Sequence, residues 1–325
     1  MSSHSEQKRV ARTEVAIYQS PNRGVIELTG EDRLNFLHNQ STNEIKSLKP
    51  GQGCQTVFVN STARTLDLAT VYVTADKILL VVSPNRTQFL MEWLDRYLFP
   101  MDRVTLKNAS EKYAVLTVTG ENSQELMQKL GVTLSGDQPF ATHEMTEIDD
   151  IPVQIAVGTE IALPGYLLIV SSDQASSLQK TITQAGAVPI SESVWEELTL
   201  EQGRPLPDYE LTEDYNPLEA GLWQAISLDK GCYIGQETIA RLNTYQGVKQ
   251  RLWGIHLSQT VDPETPITVQ GKKVGKLTRV QETEDGVKGL GYIRTKAGGE
   301  GLKVQVGEAQ GEVIAVPFLT HDPIN

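Results

Sequence analysis

The sequence predicts an α+β protein with two related strand–helix–hairpin–helix domains, built on antiparallel or mixed sheets, and a C-terminal β-barrel. Two observations support this fold class. A short motif recurs after 90 residues with the same order of predicted elements behind it, and beyond Val248 short β-type runs replace the helix patterns. At the usual ~150 residues per domain, a chain of 325 residues has room for two or three domains.

The repeat begins with an apolar strand that ends in Thr-Gly-Glu. It reads VIELTGED over Val25–Asp32 and VLTVTGEN over Val115–Asn122, and a helix pattern follows each copy. Thr29 with Asp32, like Thr119 with the polar turn after it, resembles a helix N-cap. Because the match is short enough to arise by chance, the elements that follow it decide between chance and duplication.

Two apolar runs with the pattern of a β-hairpin follow each of these helices. The runs are Leu66–Val73 with Ile78–Val82 in the first copy and Pro152–Val157 with Tyr166–Val170 in the second. A further helix is predicted from Ser83 in the first copy and from Ser171 in the second, and a short strand ends each copy. This shared order of five elements favours duplication over chance.

The region from Val248 to Phe318 has short β-type runs separated by glycine-bearing turns, which is typical of an antiparallel barrel or sandwich. The runs are Leu252–Leu257, Lys273–Val280, Gly289–Ile293, Leu302–Val306 and Glu312–Val316. The last dozen residues are expected to form a surface tail. We therefore place a first α+β domain at residues 1–110, a second at 111–245 and the barrel at 246–325.

Charge and composition exclude several classes of function. Asp and Glu number 41 against 29 Lys and Arg, a net charge of −12, which disfavours direct binding along duplex nucleic acid. Cys54 and Cys232 are too few for a disulfide framework or a four-thiolate zinc site, and the five histidines are scattered, so no metal site is expected. The polar start and the lack of an 18-residue apolar stretch predict a cytoplasmic protein with no membrane partner.

Sequence motifs for nucleotides and for nucleophilic triads are weak or missing. Gly286, Gly289 and Gly291 fall in the β-rich region and open no helix, so hairpin turns explain them better than a phosphate-binding loop. A Walker-type phosphate loop and a GxSxG nucleophile elbow do not occur.

The charge of the chain changes sign around residue 225. A predicted helix over Ser191–Gln202 is followed by a long acidic loop that ends near Gly221. Glu192–Glu219 contains nine acidic residues and one basic residue, whereas Asp229–Arg251 contains four basic and two acidic ones. This change suits a site that offers both a carboxylate and cations to one ligand.

The segment KGCYIGQETIAR, Lys230–Arg241, is the strongest candidate for chemistry. Its two glycines permit tight turns, so Cys232 can be presented on a sharp loop. A thiolate at Cys232 is favoured by the positive charge of Lys230 and Arg241. The N-terminus of a helix that starts near Gln236 favours it as well. The alternative is a buried structural cysteine in a turn, and the residues alone leave it open.

Lys230–Arg241 also resembles the KGCYxGQE-type signature of the YgfZ family, folate-binding proteins implicated in iron–sulfur cluster maintenance. That family belongs to the superfamily of the glycine-cleavage T-protein, a folate-dependent aminomethyltransferase. Three further segments are similar to blocks of the superfamily, namely Leu28–Gly53, Glu196–Leu206 and Asn216–Gly221. The likeness therefore covers nearly the whole chain. It implies a cloverleaf of three domains around a central hole that binds folate, either tetrahydrofolate or a one-carbon derivative.

The resemblance also implies roles for individual residues. The residues assigned to folate on this basis are Glu201, Lys230, Tyr233, Arg241, Lys249 and Arg251. Glu201 is expected to accept hydrogen bonds from the pterin, and its alternative is an exposed helix glutamate. Arg241, Lys249 or Arg251 is expected to meet the anionic glutamyl tail. Tyr233 either stacks on the ligand or packs the loop.

The stretch Asn60–Leu68 departs from the T-protein pattern, which has a pair of aspartates at its end. Asp67 occupies the first position of the pair, Leu68 replaces the second, and Arg64 stands where glycine is usual. Loss of a candidate general base, an effect worth roughly 10²–10⁴ in rate, argues against aminomethyl transfer.

These features favour a tetrahydrofolate-binding protein that assists iron–sulfur cluster assembly or repair, with Cys232 as its reactive residue. Iron–sulfur proteins or cluster-assembly factors are the expected partners, and tRNA modification is an expected downstream effect. One alternative is a folate-dependent aminomethyltransferase that uses Asp67 as its acid–base group. A second is a folate-sensing module without chemistry, in which Cys232 is structural.

Overall fold

A computed structural model describes residues 3–322, and the chain groups into two compact units. The first contains the chain up to Thr56 together with Leu68–Trp195. The second contains Val57–Asp67 and the chain from Glu196 onward. The domain boundaries at residues 110 and 245 stay a prediction.

Residues 3–322 contain seven α-helices, two short 3-10 helices and seventeen strands. The helices are α1 His4–Thr13, α2 Arg33–Gln40, α3 Thr87–Asp95, α4 Ser123–Lys129, α5 Ala175–Gln184, α6 Glu192–Gln202 and α7 Gln236–Thr244, with 3-10 turns at Trp223–Ala225 and Thr295–Ala297. The strands are β1 Ala16–Gln19, β2 Gly24–Thr29, β3 Gly53–Val59, β4 Thr65–Val73, β5 Lys77–Val82, β6 Thr105–Asn108, β7 Tyr113–Thr119, β8 His143–Ile148, β9 Ile151–Val157, β10 Gly165–Ser171, β11 Val188–Pro189, β12 Gln250–Leu257, β13 Pro266–Val269, β14 Lys272–Thr283, β15 Gly286–Arg294, β16 Lys303–Val306 and β17 Ala309–Ile314. None of the described helices combines the length and apolar character of a membrane span.

The predicted repeat corresponds to a repeated strand order. One sheet runs β3-β4-β5-β2-β6, and the other runs β8-β9-β10-β7-β1-β11. The two orders match element for element when β1 is taken as an insertion before the last strand. The helices fall in the same places, α2 and α3 in the first copy and α4 and α5 in the second. The order of elements read from the sequence is therefore confirmed, with β3 and β8 added to it.

The six-stranded sheet buries both of its faces within the first unit. On one face, Leu126 and Met127 of α4 and Leu178 and Ile182 of α5 join an apolar cluster with the sheet. On the other face, residues of β7 and β10 pack with Val25 of β2 and with residues of β5 in a second cluster. Side chains of neighbouring strand residues point to opposite faces, so both clusters draw on the same strands.

The N-cap predictions at the starts of α2 and α4 are wrong. Asp32 is the N-cap residue of α2, but its side chain makes no capping bond there. Its Oδ2 accepts hydrogen bonds from the backbone N–H and the Nε of Arg103, each at 3.1 Å. Thr119 donates to the carbonyl of Pro164 instead of capping α4. A charged partner distant in sequence outcompetes the local bond.

The C-terminal region forms a closed barrel in the order β12-β15-β14-β13-β16-β17. This confirms the predicted barrel, and β13 is the strand that the prediction lacked. The surface tail is wrong within the described residues, because Val316 and Phe318 are buried and the N–H of Phe318 donates to the carbonyl of Gln202. These two apolar side chains hold the chain against the second unit after its last strand.

Candidate functional site

Cys232 lies exposed in an irregular loop immediately before α7. The helix begins at Gln236, as predicted, and the N–H of Gln236 bonds to the carbonyl of Tyr233 to close the turn. The side-chain amide of Gln236 also donates to the carbonyl of Lys230, at 3.4 Å. Cys232 is therefore presented outward on a loop held at both ends, and the buried structural cysteine is not what the fold contains.

Gly235 fixes the position of this loop. Its φ of +82° is left-handed, and a Cβ there would lie 3.0 Å from the carbonyl oxygen of Asn60 and 3.0 Å from a methyl group of Val59. Only glycine meets both requirements, the positive φ and the close approach. The loop that carries Cys232 is thus seated against the turn after β3.

Tyr233 packs inward while Cys232 faces out. The tyrosine ring contacts an apolar cluster that includes Ala63, Trp223 and Ile239, and burial raises its pKa to about 12. Its hydroxyl therefore stays protonated at neutral pH and can only act as a neutral donor or acceptor. Tyr233 thus packs the loop, and its stacking on a ligand stays a prediction.

The two cations of the signature lie apart from each other. Lys230 is 6% exposed and its Nζ lies 4.8 Å from the centre of the Tyr233 ring, a cation–π contact. Arg241 is exposed in the last turn of α7, at the end of the helix remote from Cys232. Lys249 is exposed just before β12.

Glu201 in the last turn of α6 has a buried side chain, only 4% exposed. Its Oε1 lies 2.6 Å from Nζ of Lys288 on β15. The exposed helix glutamate is therefore not what the fold contains.

Glu210 is a second buried carboxylate that sequence reasoning missed. It is 0% exposed, and its Oε1 accepts from Nε of Arg279 at 3.0 Å and from the hydroxyl of Thr278 at 2.6 Å. Neighbouring residues reach the same oxygen because the register of β14 with β15 shifts between Leu277 and Arg279. Such a bulge re-aims side chains that would otherwise point to opposite faces.

Glu219, in the stretch that resembles the superfamily block ending at Gly221, is also buried. Burial raises its pKa, opposed by the backbone N–H of Asn216 at 3.1 Å from Oε2 and by the charge of Arg64 at 3.9 Å. In this acidic segment, Glu201 and Glu210 pair with cations of barrel strands. Glu219 lies beside Arg64 of the 60–64 turn, and the charge of Lys249 also lowers its pKa.

Asp67 lies on β4 and is fully buried, as is Leu68 beside it. Consecutive residues of a strand point to opposite faces, so a carboxylate at position 68 would not share a site with Asp67. In the turn before β4 the left-handed residue is Ala63, with φ +61°, and not Arg64. Arg64 instead donates from Nη1 to the carbonyl of Asp214 at 2.8 Å.

Arg251 begins the barrel on β12, with its side chain 25% exposed and its Nη2 3.4 Å from a carboxylate oxygen of Asp322. Within the second unit, the residues assigned to folate thus lie in several places. Lys230 and Tyr233 lie with Cys232 on the signature loop, and Glu201 pairs with Lys288. Arg251 lies on β12, and Arg241 and Lys249 are exposed.

Similarity to known proteins agrees with this fold. The family model described as the GCVT N-terminal domain matches residues 2–230 of the chain. The chain belongs to this family. A chloroplastic protein of Arabidopsis thaliana described as a "putative transferase" is 45% identical over 92% of this chain and 71% of its own length.

More distant family relatives extend over the barrel. The aminomethyltransferase of Halalkalibacterium halodurans is 27% identical over 98% of this chain and 90% of its own length. The crystal structure of the glycine cleavage system aminomethyltransferase T from Bartonella henselae aligns with a TM-score of 0.85. It covers 99% of this chain and 91% of its own at 17% identity, so it shows a shared fold.

Proposed function

We propose that this family member binds tetrahydrofolate or a one-carbon derivative and supports iron–sulfur cluster assembly or repair through Cys232. The observation that carries the proposal is the exposed thiol of Cys232 on a loop that is fixed by Gly235 and directly precedes α7. That loop is the segment that resembles the YgfZ signature. A thiolate there is a soft ligand suited to iron.

The second unit offers groups that fit a folate. A pterin presents N–H donors, and a buried carboxylate binds them strongly because water is excluded. Glu201 is such a buried carboxylate, and Lys288 beside it balances its charge. When bound, a tetrahydrofolate would supply a carrier for one-carbon units, and Glu201 would orient its ring.

We expect Glu201→Gln to weaken tetrahydrofolate binding by about ten- to a hundred-fold, the range for loss of a charged hydrogen bond. Isothermal titration of the intact chain measures it. Glu312→Gln is the matched control, because Glu312 also pairs with a lysine of the barrel but has a side chain 46% exposed. Equal affinity of wild type and Glu201→Gln would remove Glu201 from the folate site.

Cys232 supplies one cluster ligand at most, so the proposed role is transient. The cluster or its iron is cargo, and iron–sulfur proteins or cluster-assembly factors are the proposed partners. Effects on tRNA modification would follow from tRNA-modifying enzymes that carry such clusters. A cytoplasmic site of action belongs to the same proposal.

A second candidate function is aminomethyl transfer, favoured by the buried Asp67 and by relatives that carry the name aminomethyltransferase. Leu68 no longer argues against it, because positions 67 and 68 point to opposite faces of β4. This candidate requires tetrahydrofolate-dependent release of ammonia from an aminomethylated lipoyl carrier. Asp67→Asn should then lower the rate by roughly 10²–10⁴, with Asp76→Asn on the β4–β5 turn as control. A wild-type rate no higher than the uncatalysed one would exclude this function.

A further inference from the structure

Lys288 on β15 points out of the barrel toward the end of α6. Its chain neighbour Val287 belongs to an apolar cluster to which all six barrel strands contribute, and neighbouring residues of a strand point to opposite faces. The Nζ of Lys288 lies 2.6 Å from Oε1 of Glu201, and the Lys288 side chain is only 16% exposed. An ammonium group and a carboxylate thus meet on the outer wall of the barrel, where little water reaches them.

The end of α6 is fastened to the chain that follows β17, the last barrel strand. The N–H of Phe318 donates to the carbonyl of Gln202 at 2.9 Å. Gly203 follows the helix with a left-handed φ of +82°, and a Cβ there would lie 2.3 Å from a methyl group of Val316. These contacts directly adjoin Glu201, so its backbone is held at a fixed place against the barrel wall.

A buried charge needs a partner of opposite sign. The Glu201 side chain is 4% exposed, and removal of one member of a buried ion pair leaves the other uncompensated. A carboxyl group in that position becomes neutral or turns toward water. Either change weakens hydrogen bonds from the N–H donors of a ligand, because such bonds to an ionised group are about twice as strong as bonds to a neutral one. The charge of Lys288 therefore affects what Glu201 can bind.

We propose that Lys288 is a positioning residue, which maintains the negative charge and the orientation of the Glu201 carboxylate for the N–H donors of a folate ring. This role rests on the folate function proposed above, because it concerns the same site. Lys288 acts through Glu201 and needs no contact of its own with the ligand.

Two further titratable groups lie near Lys288, and both are more exposed than Glu201. Asp285, in the turn between β14 and β15, has a side chain 58% exposed and lies 3.7 Å from Nζ of Lys288. Water screens an ion pair of this kind, so it contributes little. His256 stands opposite Lys288 on β12 and is exposed. We therefore expect Asp285→Asn to change the affinity for folate by less than about two-fold.

Isothermal titration of tetrahydrofolate into the intact chain tests the role of Lys288. We expect Lys288→Met, which keeps a side chain of similar size and removes its charge, to weaken binding by about ten-fold or more. Lys288→Arg keeps a cation at the site and should weaken binding less than Lys288→Met does. Lys303→Met is the matched control, because Lys303 pairs with Glu312 on the same barrel but has a side chain 75% exposed, and it should leave the affinity unchanged.

Combination with Glu201→Gln separates positioning from a general structural effect. In a Glu201→Gln background the charge that Lys288 maintains is absent, so Lys288→Met should change the affinity by less than about two-fold. A lysine that only supports the fold would weaken binding by the same factor in both backgrounds. The double variant also lacks both charges of the pair, so it stays measurable if Lys288→Met alone destabilises the fold.

The outcomes distinguish the role of Lys288 from the folate function itself. Wild-type affinity in Lys288→Met, together with weaker binding in Glu201→Gln, would overturn the role of Lys288 and leave the folate site in place. The same ten-fold loss in both backgrounds would also overturn it and make Lys288 a structural residue. Equal affinity of wild type and Glu201→Gln would remove the folate site at Glu201, and the role of Lys288 with it.

Discussion

Cys232→Ala is expected to abolish the support of iron–sulfur enzymes while the fold and tetrahydrofolate affinity remain at wild-type level. The side chain is exposed, so its loss creates no cavity, and exposed substitutions usually change stability by less than about 0.5 kcal/mol. The loop keeps its shape because the bond from Gln236 to Tyr233 and the close approach of Gly235 do not involve the thiol. What disappears is the only soft ligand of the signature loop.

The measurement is complementation of cells lacking the protein, scored by the activities of several iron–sulfur enzymes and by one enzyme without a cluster. Cys54→Ala is the matched control, since Cys54 is partly buried on β3 and its Sγ lies 3.9 Å from the carbonyl of Glu44. Cys232→Ser keeps the size and polarity of the side chain but replaces the soft sulfur, so it should fail as Cys232→Ala does.

Full complementation by Cys232→Ala would contradict the proposed function and favour a module in which this cysteine has no chemistry. Loss of complementation together with loss of tetrahydrofolate affinity would place Cys232 in the folate site and not in cluster chemistry. The two measurements thus separate the thiol from the ligand site.

The fold could be predicted from sequence wherever the signal was local. The hairpin of β4 and β5 follows from two uninterrupted apolar runs. The end of helix α6 follows from the helix break at Gly203. Strands such as β8 were missed because an edge strand with alternating exposed residues has the composition of a loop. The prediction of a capping hydrogen bond at Asp32 is wrong because its carboxylate instead accepts hydrogen bonds from Arg103, which is distant in the sequence.

For the candidate site, too, the sequence predicts local features but not the tertiary partners of the side chains. The tight turn at Gly235 follows from a loop pattern that a sequence can carry, whereas the residues alone left open whether Cys232 is exposed or buried. The partners of the buried carboxylates do not, since Lys288 and Arg279 stand on barrel strands that nothing in the acidic segment indicates. The count of charges indicated a site with a carboxylate and cations, but it could not show that Glu210 is buried against Arg279.

Glu210→Ala is expected to lower the free energy of unfolding by about 3–5 kcal/mol, the cost of removing one partner of a buried ion pair. The carboxylate holds Arg279 and Thr278 through Oε1 and the N–H of Leu206 through Oε2, at 3.0 Å. Its removal leaves the Nε of Arg279 and the N–H of Leu206 without this acceptor, whereas the hydroxyl of Thr278 keeps the carbonyl of Leu290 at 3.0 Å. The backbone carbonyl of Glu210 would still accept from Tyr292 at 2.8 Å, so the loop stays near the barrel.

Urea unfolding followed by circular dichroism measures this change, and Glu213→Gln is the control because Glu213 is an exposed acid of the same loop. That control should change stability by less than about 0.5 kcal/mol. The double variant Glu210→Leu with Arg279→Met should recover much of the loss, since replacing both members of a buried pair by apolar residues removes the uncompensated charge. A loss below about 1 kcal/mol in Glu210→Ala would mean that water reaches Arg279, and the pair would then not be what fastens the acidic segment to β14.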